Sequence, residues 1–264
     1  MPFVHNINPV LLDLGPVEIR YYGLVYVLGF IVVFFYLKHL IKQKKLLLTE
    51  EELYDLVFYL MVGVLVGSRL GEVLFFEPTY YLTQPWKILY VWEGGMSYHG
   101  GLIGVFLATY LFWRKKEVRK KVSLAKLGDY LAIPSTLMLA LGRVANFING
   151  ELPGTVTNVS WCWYFPGYEG CRHPQVLYEA FSRSVTFCIL LLLNKRKHKD
   201  GFIVWNMLWM MGLGRLIIDF WRDDPTFFGL TTGQYLSVAM LLLGVFVLFK
   251  YYRHNLKALF GVGK

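Results

Sequence analysis

Charged side chains are scarce in this sequence for its length. Asp, Glu, Lys and Arg make up 17% of the 264 residues, against roughly a quarter in soluble globular domains. Apolar runs of about 18–24 residues take their place, and an α-helix of that length crosses roughly 30 Å of hydrocarbon. The composition therefore excludes an ordinary soluble domain and predicts an all-α integral membrane protein.

Cysteine is also rare, and its placement excludes several kinds of site. The three cysteines include no C-x-x-C pair, so neither a zinc site nor a dithiol redox motif is indicated. The first twenty residues lack a Lys-rich segment and an A-x-A-like cleavage site, and we expect no cleavable signal peptide. The net charge of +9 does not predict nucleic-acid binding, because Lys and Arg stand in short blocks between apolar runs.

The apolar windows predict about seven membrane-spanning helices within one polytopic membrane domain, residues 1–264. The expected spans are 21–40, 53–76, 96–113, 127–147, 176–193, 202–220 and 234–252. Most Lys and Arg outside the spans follow the first, third, fifth and last of them. The positive-inside rule then predicts a periplasmic N-terminus and a cytoplasmic C-terminus. Two periplasmic segments are expected: an interfacial arm, residues 79–92, and a cap, residues 148–175.

Ionisable and polar side chains remain inside the predicted spans, where they are costly and usually functional or paired. Spans one to six share this feature at their outer ends, which carry Tyr22 and Tyr26, Arg69 and Glu72, His99, Arg143 and Asn146, Glu179 and Arg183, and Arg215 and Asp219, respectively. This convergence predicts a site at one membrane face. Guanidinium groups that face a shared cavity indicate a phosphate ligand.

Some of these residues also fit a purely structural interpretation. Glu179 and Arg183 are four residues apart, and Arg69 and Glu72 are three apart, so each could be a self-neutralising pair on one helix.

His99 stands between two glycine pairs at a helix start, where the backbone can bend and a ligand can approach. Imidazole also transfers protons near neutral pH.

The stretch from Gly142 to Gly154, GRVANFINGELPG, resembles the signature of the prolipoprotein diacylglyceryl transferase family. Shorter blocks at 19–26, 94–101, 173–179, 214–222 and 231–234 resemble further motifs of that family, in the same order. Two departures occur. The family usually has Glu where this chain has Asp219, and its proline–aspartate order is reversed here as Asp224-Pro225.

The resemblance implies a bacterial inner-membrane enzyme with its active site near the periplasmic leaflet. Such an enzyme transfers the diacylglyceryl group of phosphatidylglycerol to the lipobox cysteine of a prolipoprotein signal peptide, forming a thioether and releasing glycerol 1-phosphate. The implied partners are this phospholipid, the signal peptide and membrane lipids, with no nucleic acid. No metal and no organic cofactor is implied.

Catalytic roles are carried over to four positions, His99, Arg143, Arg215 and Tyr26. Arg143 and Arg215 would bind the headgroup phosphate and support its departure. His99 is the candidate base for the thiol, although the resemblance does not settle which group takes that proton. Tyr26 would orient the glycerol moiety.

Substrate-binding roles are carried over to Arg143, Arg215 and four further positions. Asn146 and Glu151 would orient the glycerol moiety and the arginines. Gly154 would permit a tight backbone turn beside the lipid, and Asp219 would lie with Arg215.

Several alternatives stay open. Intramembrane charge also marks transporters and channels, and a non-catalytic lipid-binding scaffold would share the cavity. A retinal photoreceptor is excluded, because no lysine lies within the interior of any predicted span.

Cys162 and Cys171 both fall in the cap and could form a disulfide, whereas Cys188 is interpreted as a packing residue.

Overall fold

The computed structural model describes residues 3–13, 18–91 and 94–259, without the side chains at positions 22, 98, 99 and 259. The chain is mostly helical. Its helices are α1 (Tyr21–Lys42), α2 (Glu50–Phe75), α3 (Pro78–Thr83), α4 (Tyr98–Trp113), α5 (Lys116–Lys121), α6 (Leu124–Ile148), α7 (Gln175–Asn194), α8 (Phe202–Ile218), α9 (Thr232–Tyr251) and α10 (Arg253–Leu259). The short strands are β1 (Phe3–Val4), β2 (Val10–Asp13), β3 (Glu18–Arg20), β4 (Trp163–Tyr164), β5 (Thr226–Phe227) and β6 (Leu230–Thr231).

Six helical segments in the described part are long and apolar enough to cross a membrane. They are Gly23–Lys42, Glu50–Phe75, Leu124–Ile148, Gln175–Asn194, Phe202–Trp221 and Thr232–Tyr251. The predicted third span corresponds to α4, an apolar helix of only 16 residues. The long helices confirm a multi-pass, all-α membrane protein. A total of seven spans and the orientation of the termini stay predictions.

The chain divides into two compact units. One comprises Met1–Ile31 and Asp129–Lys264, and the other comprises Val32–Gly128. A single polytopic domain stays a prediction.

In the unit Val32–Gly128, glycines bring α2 and α4 into close contact. A Cβ atom on Gly67 would lie 2.5 Å from the carbonyl oxygen of Gly100 and 2.7 Å from Cα of Gly104, and one on Gly71 would lie 2.7 Å from Cα of Gly100. Small residues four apart allow such backbone approach between membrane helices. Gly100, predicted to bend the chain beside His99, therefore serves helix packing instead. The glycine pair before His99 does turn the chain, since Gly94 and Gly95 have φ of 89° and 71°.

Gly104→Ala is expected to destabilise the protein by about 1–3 kcal/mol. The new Cβ would overlap the carbonyl oxygen of Gly63, a backbone atom that cannot move aside without displacing the helix. Gly101→Ala on the same helix is the matched control, because its Cβ would meet Ser68 at an ordinary 3.5 Å. Thermal unfolding in detergent checks the pair, and equal melting temperatures would contradict the packing argument.

Arg69 fixes the segment that follows α2. Its buried guanidinium donates to backbone carbonyl groups of residues on both sides of the interfacial arm's end, namely Lys87, Ile88, Tyr90, Gly94 and Gly95. Within the described residues no ion pair joins Arg69 to Glu72, so the structural-pair interpretation is wrong. Arg69 is structural through a different partner, the backbone carbonyls of this loop.

The interfacial arm has regular structure in its described part. It contains α3 and a 3-10 helix, Pro85–Leu89, whereas Trp92 lies outside the described residues. Its placement at a membrane surface stays a prediction.

In the other unit, the cap is held together by backbone hydrogen bonds that run across several short segments. Strand β1 pairs in parallel with β4, and Trp163 exchanges two hydrogen bonds with Arg172. Cys162 and Cys171 form a disulfide, with Cα atoms 5.5 Å apart. The disulfide left open by the sequence is therefore present in the structure.

Candidate functional site

Glu179 lies at the centre of a cluster of arginines at the beginning of α7. The residue is 2% exposed. Its carboxylate pairs with Arg183 one turn along, lies 2.6 Å from Arg143 Nε and lies 3.5 Å from Arg222 Nη1. Gln175 Nε2 donates to it at 2.7 Å. The Glu179–Arg183 pair therefore forms, but one buried carboxylate also serves arginines from two other segments.

The helical repeat explains this arrangement. Gln175, Glu179 and Arg183 follow one another at four-residue spacing, so their side chains share one face of α7. Arg183 also donates to the carbonyl oxygen of Leu139 on α6, at 3.0 Å. Its guanidinium thus holds protein groups, which is a structural role.

A chain of side-chain hydrogen bonds orients Arg143 near the end of α6. Arg143 Nη1 donates to Asn146 Oδ1 at 3.1 Å, and Asn146 Nδ2 donates to Glu151 Oε2 at 2.8 Å. Asn149 Nδ2 donates to the other oxygen of Glu151 at 3.0 Å. The structure thus brings together three of the predicted site residues. Beyond this chain, Arg143 Nε is close to Glu179 but lacks hydrogen-bond geometry.

Arg215 and Asp219 form the second part of the site, where α8 ends and α9 begins. Arg215 Nε lies 3.4 Å from Asp219 Oδ2, and the Arg215 side chain keeps 24% exposure while that of Asp219 has none. Thr231 Oγ1 donates to Asp219 Oδ2 at 3.3 Å. Arg215 donates no hydrogen bond to the residues that the structure describes.

Gly233 allows Arg215 and Asp219 to approach the first turn of α9. A Cβ at this position would overlap Asp219 Oδ2 and would lie 3.0 Å from Arg215 Nη2. Thr231 caps the same turn by accepting from the backbone N–H of Gln234 at 3.0 Å. The block 231–234 therefore packs against Arg215 and Asp219 of the block 214–222.

Arg222 ends the block 214–222, seven residues after Arg215, and was not predicted as a site residue. It joins Glu179 to Asp224, whose carboxylate lies 2.7 Å from Arg222 Nε. Burial alone would lower the pKa of Arg222, but Asp224 and the other nearby carboxylates raise it above its ordinary value. The reversed Asp224-Pro225 order thus supplies the partner of this arginine.

The block His173–Glu179 forms a hydrogen-bonded edge of the cluster. Trp161 Nε1 donates to the hydroxyl oxygen of Tyr178 at 2.8 Å, and that hydroxyl lies 3.0 Å from His173 Nδ1. Burial lowers the pKa of His173. The contact between His173 Nδ1 and the hydroxyl holds the Tyr178 side chain at the start of α7, next to Glu179.

Gly154 is required by close approach of the backbone rather than by the predicted tight turn. Its N–H donates to the carbonyl oxygen of His173 at 2.8 Å. A Cβ there would overlap the carbonyl oxygen of Trp221 and lie 2.9 Å from Cβ of His173. The left-handed residues of this loop are Gly150 and Leu152, with φ of 69° and 53°.

Gly154→Ala is expected to cost about 1–3 kcal/mol of stability, because the new Cβ would meet the carbonyl oxygens of Trp221 and His173 and the Cβ of His173, which belong to rigid neighbours. Gly142→Ala is the matched control on α6, since a Cβ there meets nothing within 4 Å and alanine favours a helix by up to about 1 kcal/mol. The melting temperature should therefore fall for Gly154→Ala and rise for Gly142→Ala. A Gly154→Ala variant that melts no lower than its parent contradicts the close approach.

Two further residues, His99 and Tyr26, were predicted to be catalytic. His99 stands in the first turn of α4, in the other compact unit, and its side chain lies outside the described part. Tyr26 lies on α1 and is 49% exposed. Their roles stay predictions.

The sequence of this chain is similar to those of known proteins over most of its length. The sequence profile of the prolipoprotein diacylglyceryl transferase family matches residues 9–250. A phosphatidylglycerol–prolipoprotein diacylglyceryl transferase of Geobacter sulfurreducens is 43% identical over 252 residues, covering 93% of this chain and 95% of the relative. Proteins of the same name from Rickettsia felis and Rickettsia akari are 41% and 42% identical over 253 residues, covering 92% of this chain and 96% of each relative.

Proposed function

The chain belongs to the prolipoprotein diacylglyceryl transferase family, and on that premise we propose how its residues perform the transfer. The enzyme moves the diacylglyceryl group of phosphatidylglycerol to the thiol of a lipobox cysteine in a prolipoprotein signal peptide. The products are a thioether-linked peptide and glycerol 1-phosphate. Arg143, Arg215 and their hydrogen-bonded neighbours bind the phospholipid headgroup.

The observation that carries this proposal is the unequal use of the arginine donors. Arg183 is occupied by Glu179 and Leu139, whereas Arg215 donates no hydrogen bond and Arg143 donates one among the described residues. Arg143 and Arg215 therefore retain planar N–H pairs that suit two oxygens of a phosphate. Glu179 and Asp219 fix the two guanidiniums in advance, which is the condition for electrostatic catalysis.

The reaction is a substitution at the glyceryl carbon that carries the phosphate ester. The cysteine thiol, with an ordinary pKa of about 8.5, first gives its proton to a base, for which His99 is our candidate. The thiolate attacks the carbon, the C–S bond forms and the C–O bond to the phosphate breaks. The bond's electron pair leaves with glycerol 1-phosphate, whose growing charge Arg143 and Arg215 stabilise.

The same helices support a site at the periplasmic leaflet of the bacterial inner membrane. Arg143 and Arg215 lie near the C-terminal ends of α6 and α8, while Glu179 and Thr231 lie at the N-terminal ends of α7 and α9. Basic residues follow the opposite end of α7, as in cytoplasmic linkers. The phospholipid and the signal-peptide helix already lie in the bilayer, so both enter laterally.

Purified protein in detergent, with phosphatidylglycerol and a synthetic lipobox peptide, tests the proposal. The peptide should gain the diacylglyceryl mass while glycerol phosphate appears in equal amount. A peptide with serine in place of the lipobox cysteine is the control for the acceptor. Turnover should be unchanged by a metal chelator, because no step uses a metal. Folded protein that gives no product with any anionic phospholipid contradicts the proposal and favours a lipid-binding scaffold.

A further inference from the structure

The first described residues of the chain form an N-terminal arm, Phe3–His5, that joins the cap. The Phe3 N–H donates to the carbonyl oxygen of Cys162 at 3.1 Å, and the His5 N–H donates to that of Tyr164 at 2.9 Å. The ring of Phe3 stacks on Trp163, with centroids 5.0 Å apart. The arm therefore adds a parallel strand beside β4, and the residue before β4, Cys162, forms the disulfide with Cys171.

The side chain of His5 is buried in an aromatic pocket. It is 4% exposed, stacks on Phe165 with centroids 5.4 Å apart and meets Phe147 edge-on at 5.3 Å. Its Nε2 lies 2.7 Å from the carbonyl oxygen of Phe147. A carbonyl can only accept, so Nε2 carries the proton, and Nδ1 has no partner among the described residues.

The carbonyl of Phe147 belongs to the turn that ends α6. The N–H of Gly150 donates to Phe147 O at 2.9 Å, and the N–H of Glu151 donates to Asn146 O at 3.0 Å. With Gly150 in the left-handed region, these two bonds are a Schellman motif, which reverses the chain after a helix. His5 supplies a third bond to the same turn, and its ring lies 3.3 Å from the position that a Cβ on Gly150 would take.

This turn determines where Glu151 points. Because the chain reverses at Gly150, the Glu151 carboxylate returns to Asn146, which in turn holds Arg143. The hydrogen bond from His5 is thus connected to Arg143 through a single helix end. Other contacts of the His5 ring are aromatic, so the Nε2–H bond is its one polar link to that turn in the described structure.

We propose that His5 is a positioning residue for the transfer, acting through the Phe147 carbonyl and Glu151 to hold Arg143 in place. The inference rests on the proposed function, which supplies the activity that is measured. His5 does not touch the substrate or exchange a proton with it. Its removal should therefore lower turnover by misplacing Arg143, and small misplacements of a reacting group cost about tenfold to a hundredfold in rate.

Two substitutions separate the hydrogen bond from the ring. His5→Phe keeps an aromatic ring but removes the donor, and we expect kcat to fall about tenfold with the melting temperature close to the parent's. His5→Gln keeps an amide donor near the position of Nε2, and we expect kcat within about threefold of the parent. His254→Phe, the same change at an exposed residue of α10, is the matched control. A His5→Phe enzyme with parental kcat, or one that His5→Gln does not improve on, overturns the proposal.

A double-mutant cycle with Glu151→Ala tests the route to Arg143. If His5 acts through Glu151, adding His5→Phe to Glu151→Ala should lower kcat little further, because coupled residues are non-additive. If the two losses multiply, His5 stabilises the cap without positioning Glu151, and the proposal is wrong. The parent enzyme is measured in the same assay, and its inactivity would instead refute the proposed function.

Discussion

Glu179→Gln is expected to lower the free energy of unfolding by about 3–5 kcal/mol and to remove most of the turnover. The substitution keeps the size of the side chain but removes the one negative charge that Arg143, Arg183 and Arg222 share. Buried charges left without a partner are strongly destabilising. The amide nitrogen would also present N–H groups to guanidinium groups that have no acceptor to offer.

Thermal unfolding in detergent and the transfer assay together check this expectation. For a chain of this size, about 3–5 kcal/mol corresponds to a fall in melting temperature of roughly 6–20 °C. Glu117→Gln is the control, since Glu117 is an exposed residue whose pair with Lys120 should contribute less than about 1 kcal/mol. If both variants melted alike, the cluster would not depend on the carboxylate.

The sequence predicted the helices well, because a membrane helix is determined mainly by the length and apolar character of one continuous stretch of residues. A membrane helix must be about 20 residues long and apolar, whatever it packs against. The observed helices accordingly begin and end within three residues of the predicted spans. The short third span, α4, shows where this reasoning weakens, since a 16-residue helix can be read as a span only from its apolar composition.

The contacts of the arginines were harder to predict, because they depend on how each helix is rotated about its axis. Spacing along α7 indicates that Glu179 and Arg183 are neighbours, but not that Arg143 and Arg222 reach the same carboxylate from other segments. For Arg69, the sequence suggested a partner that the structure does not show. Its nearest acidic residue in sequence was an attractive partner, whereas backbone carbonyls of a distant loop satisfy it.

Glycine roles show the same limit. A glycine signals a turn or a close approach, and the sequence alone does not say which. Gly94 and Gly95 have positive φ, as a predicted bend requires. Gly154, by contrast, is needed because Trp221 and His173 lie against it, and that contact joins residues far apart in the chain.

Arg215→Lys is expected to lower kcat by about a hundredfold to a thousandfold while leaving the melting temperature unchanged. Lysine keeps the positive charge but loses the planar pair of N–H groups that can bind two phosphate oxygens. Stability should be spared, since Arg215 donates no hydrogen bond to the described residues and its ion pair with Asp219 is long, at 3.4 Å.

Arg183→Lys is the contrasting variant, for which we expect a loss of stability. Arg183 donates to Glu179 and to the carbonyl oxygen of Leu139, so its replacement should lower the melting temperature. Arg253→Lys, an exposed change on α10, should alter neither quantity. Single-turnover rates at saturating phosphatidylglycerol separate lost chemistry from weakened binding. An Arg215→Lys enzyme within threefold of the parent would show that a point charge suffices, and the bidentate role of Arg215 would then be wrong.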